Sequence, residues 1–165
     1  CCLGPGNPAT TFVMLDSSGE LLDVLYAGSI ALLPRNEDDR QSIRKDQDRL
    51  HKFIKHHKPG VVALGAAANV ACPRLNNKID EVMFEIGGEA DMRNPNWTDD
   101  FRLVYVDESL ARLYENSRIS GEQMPQQSGI ERRAVALGRY LQSPLAMVAT
   151  LCGPGREILS WNLHP

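Results

Sequence analysis

The chain has 165 residues, of which 42% are apolar and 24% charged, and its formal net charge is −3. That amounts to one globular domain with enough apolar side chains for a sizeable core. It excludes an overall basic field for nucleic acid, and no apolar run is long enough to read as a membrane span or a signal peptide.

The four cysteines, Cys1, Cys2, Cys72 and Cys152, contain no CxxC pair and no zinc pattern. Such spacing fits reduced thiols in the cytosol or nucleus, with no disulfide needed for folding. Residues 1–3 read as the remnant of a strand. With no initiating Met, the chain reads as a domain cut from a longer protein. Gly4, Pro5, Gly6 and Pro8 make the next residues a turn. Residues 10–15 are β-branched and aromatic, and residues 21–27 return after Asp16-Ser17-Ser18-Gly19, which is hairpin-turn chemistry. The chain therefore opens with an antiparallel meander.

Asn36 is the expected N-cap of a long helix. Glu37, Asp38 and Asp39 follow in its first turn, and Ile43, Leu50, Phe53 and Ile54 form a narrow apolar stripe. Lys55, His56, His57 and Lys58 end it, and Pro59-Gly60 stops it. Its charges are read as a solvated face. Residues 61–65, VVALG, are a short apolar run that reads as a parallel central strand. Residues 66–75 are expected to be a loop broken by Pro73. Asn76 or Asn77 then caps a helix carrying Ile79, Val82, Met83 and Ile86 on one face, ended by Gly87-Gly88. Residues 89–100 read as a polar surface loop.

Residues 103–106 form a second short apolar run, expected to be a strand buried on both faces. Asp107 and Glu108 sit at its carboxyl end, and Leu110, Leu113 and Tyr114 follow at helical spacing. Ligands of open α/β sheets collect outside the carboxyl ends of the strands, so these two carboxylates are the first candidates for a site. Residues 117–127 are expected to be a loop. A helix follows from about Ile130, with Ala136 and Gly138 small enough to let it lie close to the sheet. Ser143-Pro144 starts one more helix, to Leu151.

Three antiparallel strands, then helix, strand, helix, strand and C-terminal helices make the layout of a ribonuclease-H-like fold. The wording is more specific. Residues 10–28, TTFVMLDSSGELLDVLYAG, with 106–120, VDESLARLYENSRIS, and 132–161, RRAVALGRYLQSPLAMVATLCGPGREILSW, resemble the YqgF-like, or RuvC-resolvase-like, domains of eukaryotic transcription elongation factors that also handle histones. The resemblance implies an α/β domain with a mixed five-stranded sheet of order 3-2-1-4-5 and helices on both faces. It implies a large nuclear protein related to bacterial Tex that travels with RNA polymerase II and handles histones. The family's flanking helix-hairpin-helix, S1 and tandem SH2 modules do not occur in these residues.

Active nucleases of this fold gather carboxylates from three or four places around two divalent ions, which stabilise the attacking and leaving oxygens. Mapped onto this sequence, the first such position is Cys2, a thiol in place of an Asp. The end of the fourth strand, 64–67, holds no carboxylate. Asp107-Glu108 matches the family's carboxylate pair, with Ser109 where bacterial relatives have Arg. The last position falls near Gly129, with Glu131 two residues beyond it. The expectation is a pseudo-nuclease with no catalytic residue, no metal and no cofactor, whose degenerate positions are Cys2, Asp107 and Glu108. The simpler role for Asp107 is to cap the helix that follows.

Cys2 as a nucleophile lacks an evident base among His51, His56, His57 and His164, and a buried structural thiol is commoner. Gly4-Pro5-Gly6 lacks the Lys and the strand–loop–helix setting of a phosphate loop. Arg118, Arg132, Arg133 and Arg139 are candidate contacts to a nucleic-acid backbone, though a solvated face fits them equally. Trp161 and Leu163 are expected to pack on the domain or on a following segment, and Trp97 is a further possible partner anchor. The leading functional expectation is a non-catalytic scaffold. It would act with RNA polymerase II and histones through a longer protein, beside neighbouring domains of that chain, with weak or no DNA or RNA binding alone and no membrane. The alternatives are a divalent-metal nuclease or resolvase and a nucleic-acid-binding module without chemistry.

Overall fold

The computed structural model describes residues 1–3, 10–65, 71–89 and 100–159. The readings made above for the Gly-Pro turn, Trp97, Trp161 and Leu163 lie outside these residues. Strand β1, Cys2–Leu3, pairs antiparallel with β2, Thr10–Leu15, and β2 pairs antiparallel with β3, Leu21–Tyr26. The β2–β3 turn is the expected one. Gly19 takes φ +84, and the Asp16 carboxylate accepts hydrogen bonds from the Ser18 and Glu20 N–H groups.

Helix α1, Glu37–His57, begins at the predicted cap: Asn36 accepts from the Asp39 N–H at 2.7 Å. Lys58 closes it in the left-handed region, with φ 49. Strand β4, Val61–Gly65, runs parallel to β5, Arg102–Val106, in register from Val61 opposite Arg102 to Gly65 opposite Val106. The expectation that β5 is buried on both faces is not met. Tyr105 is 52% exposed, because β5 has a partner on one side only among the described ladders.

Helix α2 spans Ala71–Gly88 and so begins well before Asn76. Pro73 lies in its first turn, where no intrahelical N–H is needed, so it starts this helix rather than breaking a loop. Helix α3, Ser109–Glu115, is followed by α4, Arg118–Gln123, where a loop was expected. The Ser117 hydroxyl accepts from the Ser120 N–H at 3.1 Å and starts this short turn of helix. Helices α5, Gly129–Gln142, and α6, Pro144–Leu151, follow, and a short 3₁₀ turn at Glu157–Leu159 ends the described chain.

The strands send alternate residues to two separate apolar clusters, as the two-residue period of a strand requires. Cys1, Phe12, Val62 and Leu64 join α1 and α2, while Cys2, Val13, Ala63 and Val106 join α3, α5 and α6. Helices thus cover both faces of the strands. Between the assigned ladders stands Cys1, whose N donates to the Ala63 carbonyl at 2.8 Å and whose carbonyl accepts from the Gly65 N–H at 3.1 Å. A groove of about 500 Å³ also separates β2 from β4, lined in part by Phe12, Val13, Leu15 and Val62.

Candidate functional site

The carboxyl ends of β1, β4 and β5 bring together Cys2, Gly65 and the Asp107-Glu108 pair. The Glu108 side chain is buried, with 4% exposure, and lies over the end of β4. A Cβ built on Gly65 would stand 2.2 Å from Glu108 Oε1, so glycine is what lets the carboxylate lie there. Two arginines hold the other oxygen. Arg112, one helical turn along α3, approaches Glu108 Oε2 to 3.0 Å through Nε and 2.8 Å through its terminal nitrogen. Arg133 of α5 comes within 3.7 Å of the same oxygen.

Arg133 is itself buried, with a side-chain exposure of 6%, and its Nε lies 3.0 Å from Glu115 Oε2. That approach is an ion pair without hydrogen-bond alignment, since the Nε has no hydrogen-bond partner. A guanidinium thus stands between two carboxylates, supplying positive charge where two acidic side chains would otherwise repel. Beneath it, the Cys2 thiol is fully buried and its pKa is pushed up to about 11. Burial is the largest cause. The Glu108 and Glu115 charges act in the same direction and Arg133 opposes them. A thiol held this high is mostly protonated near neutral pH.

Asp107 points the other way. It is exposed and accepts from the Ser109 N–H at 2.8 Å, and these Ser109 hydrogen bonds hold its carboxyl below the ordinary 3.8. Glu108 is the residue at the strand–helix boundary, yet the capping oxygen comes from Asp107. Glu131, the carboxylate nearest the fourth expected position, is buried. It accepts from the Ser128 N–H at 3.0 Å and from the Tyr26 hydroxyl. It completes a helix cap and anchors β3.

This donor set does not fit a divalent ion. One Glu108 oxygen is taken by guanidinium groups, and the other is buried against Gly65 with no hydrogen-bond partner among the described residues. Asp107 is turned to its own helix, and Cys2 is a soft, protonated donor. Among the described residues, no group of three or more His, Cys, Asp or Glu side chains is placed to hold a metal.

The four arginines weighed as either phosphate contacts or a solvated face all have protein partners. Arg118 is exposed and pairs with Glu122 at 2.9 Å. The Arg132 Nε donates to the Met124 carbonyl, and the Arg139 Nε to the Gly19 carbonyl. Arg133 faces inward, so it offers no surface to a phosphate; only its place in the ion pair, which residue spacing does not reveal, explains why. Glu108–Arg112, four residues apart across the start of α3, is a pair that helical spacing alone could have suggested. Glu115–Arg133 bridges α3 and α5 and had no local signal.

Residues 1–152 match the family described as YqgF, Holliday-junction resolvase-like of SPT6. The chain belongs to this YqgF family. Over all 165 residues it is 66% identical to the transcription elongation factor SPT6 homolog of Arabidopsis thaliana, and over 99% of its length 62% identical to an SPT6-like transcription elongation factor of that plant. A suppressor of Ty 6 homolog of Caenorhabditis briggsae is 25% identical over 99% of the chain. The chain spans only 10%, 12% and 10% of the lengths of these relatives. YqgF membership implies the ribonuclease-H-like fold to which the mixed α/β architecture corresponds. No described helix is long and apolar enough to cross a membrane.

Proposed function

We propose that this YqgF domain is a non-catalytic scaffold and interaction domain of a nuclear transcription elongation factor. One observation carries the reading: the buried Arg133 guanidinium sits between Glu108 and Glu115 at the strand ends, where an active member would hold cations. The thiol of Cys2 and the closed approach of Glu108 to Gly65 support it. Cys2, Asp107 and Glu108 are then degenerate nuclease positions that act structurally. The longer protein acts with the RNA polymerase II elongation complex and with histones, and this domain contacts neighbouring domains of the same chain. Any backbone contact to nucleic acid would run through Arg118, Arg132 or Arg139 and is weak for the domain alone. The hydrogen bonds of Cys1 to β4 also favour joining the two ladders into one mixed sheet of order 3-2-1-4-5.

The test is a cleavage assay on branched and single-stranded DNA in Mg²⁺ and Mn²⁺, run beside melting curves. The expected result is no cleavage and no rise in melting temperature with either ion, since a ligand bound only by the native state would raise it. Cleavage by the parent chain that disappears in Asp107→Asn would establish the divalent-metal nuclease instead.

A further inference from the structure

The segment after β3 meets α1 and α2 in a groove of about 410 Å³. Its floor is apolar. Ile30 and Ile43 are buried there, while Leu32 and Leu33 are 48% and 62% exposed and are followed by Pro34. Single exposed leucines need no explanation, but two adjacent ones lining a groove form a patch.

The charge on its described walls is mostly positive. Arg40 and Arg44 come from one face of α1, one turn apart, and Arg74 and Lys78 from one face of α2 at the same spacing. Against these four cations the lining holds one carboxylate, Glu81, which is already bonded by Lys78 at 2.6 Å and faces Gln47 at 3.4 Å. Among the described residues the Arg40 side chain reaches only Glu37, at 3.7 Å in solvent, a contact of little energetic weight. Arg74 is fixed in position because its Nε donates to the Ala31 carbonyl at 3.0 Å. Arg44 is exposed, with neither an ion pair nor a side-chain hydrogen bond among the described residues. In a chain whose net charge is −3, this concentration runs against the average.

We propose that this groove docks an acidic peptide segment of a separate protein, anchored by one or two aliphatic side chains. The cations would steer and align the carboxylates, and the Leu32–Leu33 floor would bury the anchors. Nucleic acid fits the groove less well. Its phosphates could meet the cations, but among the described residues no aromatic side chain lines the groove for bases to stack on, whereas the exposed leucines match an aliphatic group. The inference rests on reading the domain as an interaction module and names the chemistry of its partner.

The test is fluorescence anisotropy on the 165-residue chain with a labelled synthetic peptide of Asp and Glu carrying two Leu. The same peptide with Ser for Leu, one with Lys for the acids, and a single-stranded oligonucleotide are the comparisons. The Leu-bearing acidic peptide should bind best, and more weakly as salt rises. Arg44→Glu should weaken it about tenfold, as should Leu33→Ser, whereas Arg102→Glu, an exposed position outside the groove lining, should leave it unchanged. Both groove variants change exposed side chains, so their melting curves should match the parent's. Equal binding of the Ser peptide, tighter binding of the oligonucleotide, insensitivity to Arg44→Glu, or no binding at all would each overturn the proposal. A positive cleavage assay would overturn the non-catalytic reading while leaving these binding outcomes to be judged separately.

Discussion

Arg133 illustrates how one side chain decides what a cluster of acids can do. A buried carboxylate needs a partner, and removing one member of a buried pair leaves the other charge stranded. Arg133→Met should therefore cost on the order of 3 kcal/mol, at the lower end of the usual 3–5 kcal/mol because Arg112 still holds Glu108. Adding Glu108→Gln to Arg133→Met should recover part of that loss, which denaturant melts of both single variants and the double variant would measure. A double variant less stable than either single one would mean that the pair is not the source of the cost. Asp107 tests the capping role. Asp107→Ala should lose about 1 kcal/mol at neutral pH and Asp107→Asn much less, since Asn can still accept from the Ser109 N–H. Because the folded pKa lies below the ordinary 3.8, the cap contributes above the unfolded value and is lost as pH falls through the folded one. The gap between parent and Asp107→Ala should then close in acid, whereas a pH-independent gap in melting midpoint would count against a charged cap.

At the scale of elements, two glycines allow close approaches of opposite tolerance. A Cβ on Gly65 would meet Glu108 Oε1, Cδ and Cγ at 2.2, 2.9 and 3.0 Å, and that carboxylate is pinned by two arginines. A Cβ on Gly138 would meet Leu15 Cδ1 at 2.5 Å, but that atom is the free end of a half-buried side chain beside an open groove. Gly65→Ala should therefore cost about 1–3 kcal/mol. In Gly138→Ala the gain of about 1 kcal/mol in helix propensity offsets the displacement, leaving it near neutral. Similar denaturation midpoints for the two variants would show that Glu108 is freer than its ion pairs imply. The same elements show what the sequence made legible. Helix α1 carried its cap, its acidic first turn and its basic last turn in local spacing, so both ends could be read. Helix α2 was started too late because Pro73 looks like a breaker until its place in the first turn is known. Helix α4 is too short for an apolar period and contains Gly121, so only Ser117 as a cap could have marked it. The strand-end carboxylates were legible from position, but the Glu115–Arg133 pair depends on how α3 packs on α5.

At the scale of the whole molecule, the open issue is how two ladders become one scaffold. The apolar clusters lie on opposite sides of the strands and take alternate residues from β2 and β4, which is how one sheet divides two helical layers. Cys1 is the joint. It donates to Ala63 and accepts from Gly65, the two residues flanking Leu64, and this slanted pair of bonds is the pattern of a parallel ladder. Along β4, alternate residues direct their peptide groups to opposite sides. The Gly60 carbonyl accepts from Arg102 of β5, so Gly65 directs its N–H away from β5 and toward Cys1. The Leu64 amide should be protected from hydrogen exchange by β5 whether or not the ladders are joined. The Gly65 amide should be protected to a similar degree only if β1 lies between β2 and β4. Burial alone could slow Gly65, so exchange is paired with a measurement that burial cannot imitate: a scalar coupling through the hydrogen bond between the Gly65 nitrogen and the Cys1 carbonyl carbon in an NMR spectrum of labelled chain. Its detection, together with slow exchange at Gly65, is the outcome expected for a continuous sheet of order 3-2-1-4-5. A Gly65 amide that exchanges as fast as an exposed turn and shows no coupling would leave two separate ladders, and the strand ends that carry Cys2 and Glu108 would no longer belong to one edge.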